Sequence, residues 1–256
     1  MVPPCVIAGI TTKTTDGGII PRRTNLSRAV WWIESSQTMS DISKRMGRLA
    51  LLGGALCLDF TNTAGWRGQP DSPGVLRDYE DLVAWAEHAG ALSEKERRDL
   101  LRAVEAEPGK AAASHRWAIA LREAIYRIFS ASAADRPAEP GDVDLLNEAV
   151  DDAYRHLRLA PVAGGFVWDW HEADGALELP IWIVARSAAD LLVSTELKRV
   201  RECAGEKCDW LFLDASRNQS RRWCDMAACG NRAKAQRNYA RKRGGAIGRA
   251  GVGRKA

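Results

Sequence analysis

Four cysteines between residues 203 and 229 constrain this chain more than any other feature. Cys203 and Cys208 enclose four residues, Cys224 and Cys229 enclose four again, and fifteen separate the pairs. Each short pair presents two sulfurs from one tight turn, and two such pairs across a connector of that length suit a tetrahedral thiolate site for Zn²⁺. One structural Zn²⁺ per chain is therefore expected, and a catalytic role for it is disfavoured because four sulfurs leave no position open for water. A single pair would be compatible with buried free thiols or a redox site; two matched pairs point to metal. Cys5 and Cys57 have no partner at ligand spacing and are expected outside the site.

With 256 residues, 46% of them hydrophobic, the chain can bury a core without further staples. No run of eighteen apolar residues occurs, so no membrane contact is expected. The first residues lack the order of a secretory signal, and a cytoplasmic location, where paired cysteines more often bind metal than oxidise, is the expectation. The formal charge of +4 conceals a division. From Lys198 onward there are 16 basic against 5 acidic residues, leaving 21 basic and 28 acidic in residues 1–197. An acidic body thus carries a basic, cysteine-bearing tail, which suggests a polyanionic partner for the tail.

Residues 1–46 mix small, polar and charged residues without periodicity and read as a mobile extension. A mostly helical domain is expected over 47–197. Its first stretch, 49–63, is apolar and then turns at Asp59 and Asn62, whose side chains either scaffold a turn or belong to a ligand site. Apolar residues at helical spacing follow from Asp78 to Ala89, with Gly90 as a C-terminal cap. Ser93 and Glu96 form a capping box for the next helix, which Pro108-Gly109 ends. Further helices are expected over Ala111–Ala134, from Val143 to Leu157, and from Pro180 to Leu197. Between the last two, Ala173-Asp174-Gly175 predicts a tight turn joining strands at 166–171 and 176–179. Four histidines are scattered without a metal or catalytic spacing, and no phosphate loop or nucleophile elbow occurs, so the chain does not read as an enzyme.

Within the cysteine region, Trp210 to Asp214 reads as a strand and Arg221-Arg222-Trp223 as its return, with Ser216–Ser220 as the turn. That hairpin would lay aromatic rings over the metal. From Asn231 to Arg243 strong helix formers run without a breaker until Gly244-Gly245, and 244–256 is expected as a flexible basic tail. Lys234, Arg237 and Arg241 fall on one stripe of such a helix, widened by Arg232 and Arg243. The fold class is α+β, mostly α: a helical domain with a small β element, then a four-cysteine module made of a hairpin and a basic helix.

Cys229-Gly230-Asn231-Arg232, preceded by Phe212-Leu-Asp214, Ser216-Arg217 and Arg221-Arg-Trp-Cys224 and followed by Lys234, resembles the CGNR zinc-finger family. Leu58-Asp59-Phe60-x-Asn62-Thr63, with Asp81-Leu-Val-Ala-Trp85 and Ala89-Gly90 beyond it, resembles the ABATE domain that accompanies this finger in bacterial stress-induced transcription regulators. Together the resemblances span about 49–243. They imply zinc ligation by Cys203, Cys208, Cys224 and Cys229 over a finger at 198–243, and a DNA-binding role. The expected reading is a regulator that contacts double-stranded DNA through Arg217, Arg221, Arg222, Arg232, Lys234, Arg237 and Arg241. Its helical domain would serve as a sensor of a small-molecule effector or as a homodimerisation unit. Rival readings are RNA binding, with Trp210, Phe212 and Trp223 stacking on bases; a small-molecule binder or enzyme built on Asp59 and Asn62 with a purely structural finger; and a protein-interaction knuckle.

Overall fold

A short helix at the centre of the molecule, α1 (Leu56–Thr61), buries Cys57, Leu58, Phe60 and Thr61, and the other elements are built around it. The computed structural model describes residues 41–67 and 74–250, with side chains as far as 241. Residues 1–40 of the expected extension lie outside the described residues. Its last six residues, 41–46, are helical instead and bury Ile42 and Met46, because Arg45 reaches the buried Asp81.

Helix α2 (Tyr79–His88) starts where Asp78 accepts a bond from the Asp81 N–H, and Gly90 follows it at φ 71°. The expected capping box of Ser93 and Glu96 opens α3 (Glu94–Ala106). Pro108 does not only close α3: it is the first residue of α4 (Pro108–Ala133), a position where its missing N–H costs nothing. Helix α5 (Pro140–Arg155) begins the same way. In the core, Phe60 and Trp85 meet with ring centroids 5.0 Å apart, and α1 lies against α4 and α6 (Leu179–Leu192).

The first hairpin differs from expectation. Strand β1 (Leu157–Val162) pairs antiparallel with β2 (Gly165–Trp170) around Ala163-Gly164, where Gly164 takes φ 89°. The expected second strand at 176–179 does not form, because burial claims that segment. Leu177 and Leu179 enter the core, and the Leu177 carbonyl accepts bonds from Tyr79 Oη at 2.6 Å and Ser114 Oγ at 2.8 Å. Asp174-Gly175 is still a turn, with Gly175 at φ 75°, but it leads into α6.

After α6 a 3₁₀ turn (Thr195–Arg199) delivers β3 (Val200–Glu202), which pairs antiparallel with β4 (Leu211–Leu213). The expected strand at Trp210–Asp214 is thus present, but its partner precedes it. Arg221–Trp223 is not a strand, because its polar groups are engaged elsewhere: the Arg221 N–H donates to Asp214 Oδ2 at 2.9 Å and Arg221 Nε to the Trp223 carbonyl at 2.9 Å. A π-turn (Met226–Gly230) then feeds α7 (Asn231–Ala250). This helix runs through Gly244-Gly245, where a breaker was expected; a helical glycine costs about 1 kcal/mol relative to alanine, which weakens a helix without ending it. All described residues belong to one compact unit, and none of its helices is long and apolar enough to cross a membrane.

Candidate metal centre and nucleic-acid interface

The four cysteines converge as their spacing predicts. Cys203 follows β3, Cys208 precedes β4, Cys224 ends the loop after β4, and Cys229 lies in the π-turn; their sulfurs all fall within 4.8 Å of one another. Cys208 Sγ and Cys229 Sγ each lie 3.7 Å from Cys224 Sγ. A tetrahedron with metal–sulfur bonds of about 2.3 Å has sulfur edges of about 3.8 Å, so the cluster already has the dimensions of a tetrathiolate zinc site. A disulfide would bring two sulfurs to about 2.05 Å, and none is present among the described residues.

The surroundings fit a metal. The Cys224 N–H donates to Cys203 Sγ at 3.3 Å, a contact that steadies a thiolate. Phe212 is fully buried beneath the sulfurs, and Trp210 and Trp223 pack against the cluster, as the aromatic shield expected from sequence requires. Gly205 sits so close that a Cβ would lie 3.2 Å from Cys208 Cβ and 3.3 Å from Cys229 Sγ, leaving little room for a larger residue. Bonds from the Cys208 and Cys224 thiols push Cys203 down, while Cys208 and Cys224 are pushed up, first by their hydrogen bonds to Cys203. Four thiolates this close repel one another, and a metal cation among them would offset that repulsion.

Several ties hold this module to the helical body. Asn62 Nδ2 donates to the Leu211 carbonyl and Asn62 Oδ1 accepts from the Leu211 N–H, both at 2.9 Å. The amide therefore pairs with Leu211 as a neighbouring strand would. The Leu213 N–H donates to the Gly53 carbonyl at 2.8 Å, and the Gly53 N–H donates to Asp59 Oδ1 at 2.7 Å. Burial raises the Asp59 carboxyl, against the bonds from Gly53 and Leu52 that lower it. Asp59 and Asn62 thus both scaffold backbone. Arg67 adds a further link: its N–H donates to Asp209 Oδ2 at 2.5 Å, its Nε to Glu123 Oε2 at 2.8 Å, and its guanidinium lies 3.8 Å from the Tyr126 ring centroid. Sequence reading missed Arg67, Asp209 and Glu123, since nothing in their local spacing connects them.

The basic residues divide into two groups. Arg221 is half-buried and committed: besides Trp223 it bonds the Cys224 carbonyl, and its guanidinium stacks 4.4 Å from the Phe212 ring centroid. Asp214, fully buried, organises the same loop by accepting from Ser216 N–H at 2.9 Å, Ser216 Oγ at 2.5 Å and Arg221 N–H. Arg217, Arg222, Arg232, Lys234, Arg237 and Arg241 are exposed, the last four on α7. Gln236 bonds Glu206 at 2.6 Å, linking α7 to the first cysteine loop.

A mostly helical body joined to a four-cysteine finger that opens a basic helix is the architecture in hand. The family model described as "Putative stress-induced transcription regulator", ABATE, matches residues 54–195, and the CGNR zinc-finger model matches 199–242. The chain therefore belongs to the ABATE family, and its C-terminal module is a CGNR zinc finger. No curated protein matches it.

Proposed function

We infer that the protein is a transcription regulator whose finger is held by one Zn²⁺ on Cys203, Cys208, Cys224 and Cys229 and contacts duplex DNA through α7. The observation that supports this most is the coupling of a metal-sized sulfur cluster to a helix that starts two residues after the last ligand and carries exposed Arg232, Lys234, Arg237 and Arg241. The zinc supplies folding free energy and a net anionic core that these cations offset; phosphate contacts supply affinity. Packing of Trp210 and Trp223 against the sulfurs favours duplex over base-stacking on single strands. The test is fluorescence anisotropy with random-sequence duplex DNA across a salt series. Six exposed cations predict a log–log slope of roughly −5, and Lys234→Gln with Arg237→Gln should reduce it by about 2. Salt-independent binding, no binding by zinc-loaded protein, or preference for structured RNA in competition defeats the reading.

A further inference from the structure

The β1–β2 hairpin leaves its tip in water although the sequence there is apolar. From Leu159 to Trp168 no residue is charged. Phe166 is 72% exposed, Leu159 58% and Trp168 51%, with Val162 and Val167 nearly half exposed on the opposite face. These five leave on the order of 500 Å² of apolar side chain in water, at the upper end of the largest patch on a typical monomer. The root of the hairpin is anchored: Trp170 stacks on Trp182 with ring centroids 6.1 Å apart, and Trp182 on His156 at 4.1 Å. Beyond that root, a two-stranded hairpin is marginal in water without further strands or a packed face.

Register decides what the tip can accept. The His171 N–H donates to the His156 carbonyl at 2.7 Å. In this antiparallel ladder the hydrogen-bonded pairs are therefore Arg158 with Asp169, Ala160 with Val167 and Val162 with Gly165. Leu159, Pro161, Phe166 and Trp168 turn their backbone groups the other way, to the two outer edges. Those edges differ. On β1, Pro161 has no N–H to offer, and proline is a residue that blunts a strand edge. On β2, the backbone groups of Phe166 and Trp168 meet no third strand among the described residues.

We propose that the outer edge of β2 pairs with the same edge of a second copy, antiparallel about a two-fold axis at Val167, so that two hairpins form one four-stranded sheet. Outward groups then face outward groups. Phe166 lies opposite the partner's Trp168 and Trp168 opposite the partner's Phe166, each pair exchanging two N–H···O bonds and placing aromatic rings side by side. On the reverse face Val167 meets the partner's Val167. Asp169 falls opposite the partner's Gly165, so no like charges are opposed. A slip of one residue would set outward groups against inward ones, and a slip of two would oppose Phe166 to Trp170, which is held at the root against Trp182. Nucleic acid suits the tip less well, since 159–168 carries no cation for phosphate. The exposed apolar area is already more than half of the roughly 800 Å² that each partner of a stable pair buries, and the paired backbone adds to it. Nothing in this pairing depends on the DNA-binding reading.

Sedimentation equilibrium of the zinc-loaded full chain between about 1 and 100 μM should show a monomer–dimer equilibrium. Phe166→Asp, and Phe166→Pro, which removes an outward N–H without breaking the hairpin's own ladder, should each weaken the dimer roughly tenfold or more, with zinc content and helical circular dichroism unchanged. In a Cys5→Ser background, Val167→Cys places two thiols at the axis, where the opposed Cα atoms of a non-hydrogen-bonded pair lie about 4.5 Å apart, within disulfide reach. Mild oxidation should cross-link that variant and spare Val162→Cys, which lies on the same reverse face but one strand further from the axis. A monomer throughout the range, a dimer that Phe166→Asp leaves intact, or cross-linking of Val162→Cys as readily as Val167→Cys overturns the proposal. Co-sedimentation of a monomer with phosphatidylcholine vesicles would overturn it in favour of a lipid surface.

Discussion

The helical body and the finger reach stability by different means. The body buries Phe60, Trp85, Phe129, Leu58, Leu82, Leu100, Leu121, Ile125 and Ile181 almost completely. Among the described residues beyond 199 the fully buried apolar side chains other than cysteine are Val200, Leu211 and Phe212. A core of three such residues cannot offset the conformational entropy of some forty-odd ordered ones. What replaces a core there is the sulfur cluster, which counts as folding free energy only when a cation draws the four thiolates together. The body is cohesive by area, the finger by coordination, and the two are joined by polar ties and by the packing of β3 and β4 against α1 and α4.

Removing the metal should separate the two regions most sharply. Zinc-finger peptides bind metal with apparent free energies of roughly 10 to 16 kcal/mol, so chelation or Cys224→Ser should abolish hydrogen-exchange protection in β4 and the start of α7. Amides of α2, α4 and α6 should stay protected; their collapse along with the finger would show that the body has no independent cohesion. Native mass spectrometry should find one zinc per wild-type chain. The converse experiment strikes the body. Asp81 is fully buried and accepts from the partly exposed Arg45 and Arg77, and losing those bonds costs about 1 to 3 kcal/mol. Asp81→Ala should lower the melting temperature and leave zinc content unchanged.

The joint itself yields an effect of similar size. Asn62→Ala strands the buried N–H and carbonyl of Leu211, at a cost of about 2 kcal/mol. Urea unfolding followed by both body and finger probes should then show two transitions where the wild type shows one. The smallest effect is electrostatic and sits at the same joint. Burial raises the Glu123 carboxyl, but its hydrogen bond and charge interactions with Arg67 and Arg122 outweigh that and hold it below the usual carboxylate range. A depressed carboxylate contributes stability that is complete above its unfolded value, about 4.3, and is lost as pH falls through the folded one. Glu123→Gln should flatten the loss of stability between about pH 5 and pH 3, as urea midpoints would register; an acid limb equal to wild type would remove Glu123 from the joint.

Short-range patterns make much of this legible in the sequence. The Ser93–Glu96 capping box, the helical stripes and the two cysteine pairs each depend on residues a few positions apart, and each forms as its spacing requires. Both hairpins were harder to read. The 166–171 segment was recognisable as strand-forming and Trp210–Asp214 likewise, but each pairs with the segment before it rather than after it. Strand propensity says that a segment will pair; the partner depends on which neighbour the core takes first, and the core took Leu177 and Leu179. Arg221 shows the same limit, since a basic residue in a basic run gives no local sign that its guanidinium is engaged by two carbonyls and a phenyl ring.

By itself the sequence determined that four thiolates would meet, that a mostly helical body would precede them, and that a one-signed helix would follow, because each of these is written in spacing and composition. Only the tertiary structure decided how the halves are joined. Asn62 meets Leu211 across 149 residues and Arg67 meets Asp209 across 142, contacts that no local pattern encodes because they exist only once both surfaces have formed. A cavity beside them has the same origin: its walls come from 49–75 and 207–232, which meet only when the finger docks.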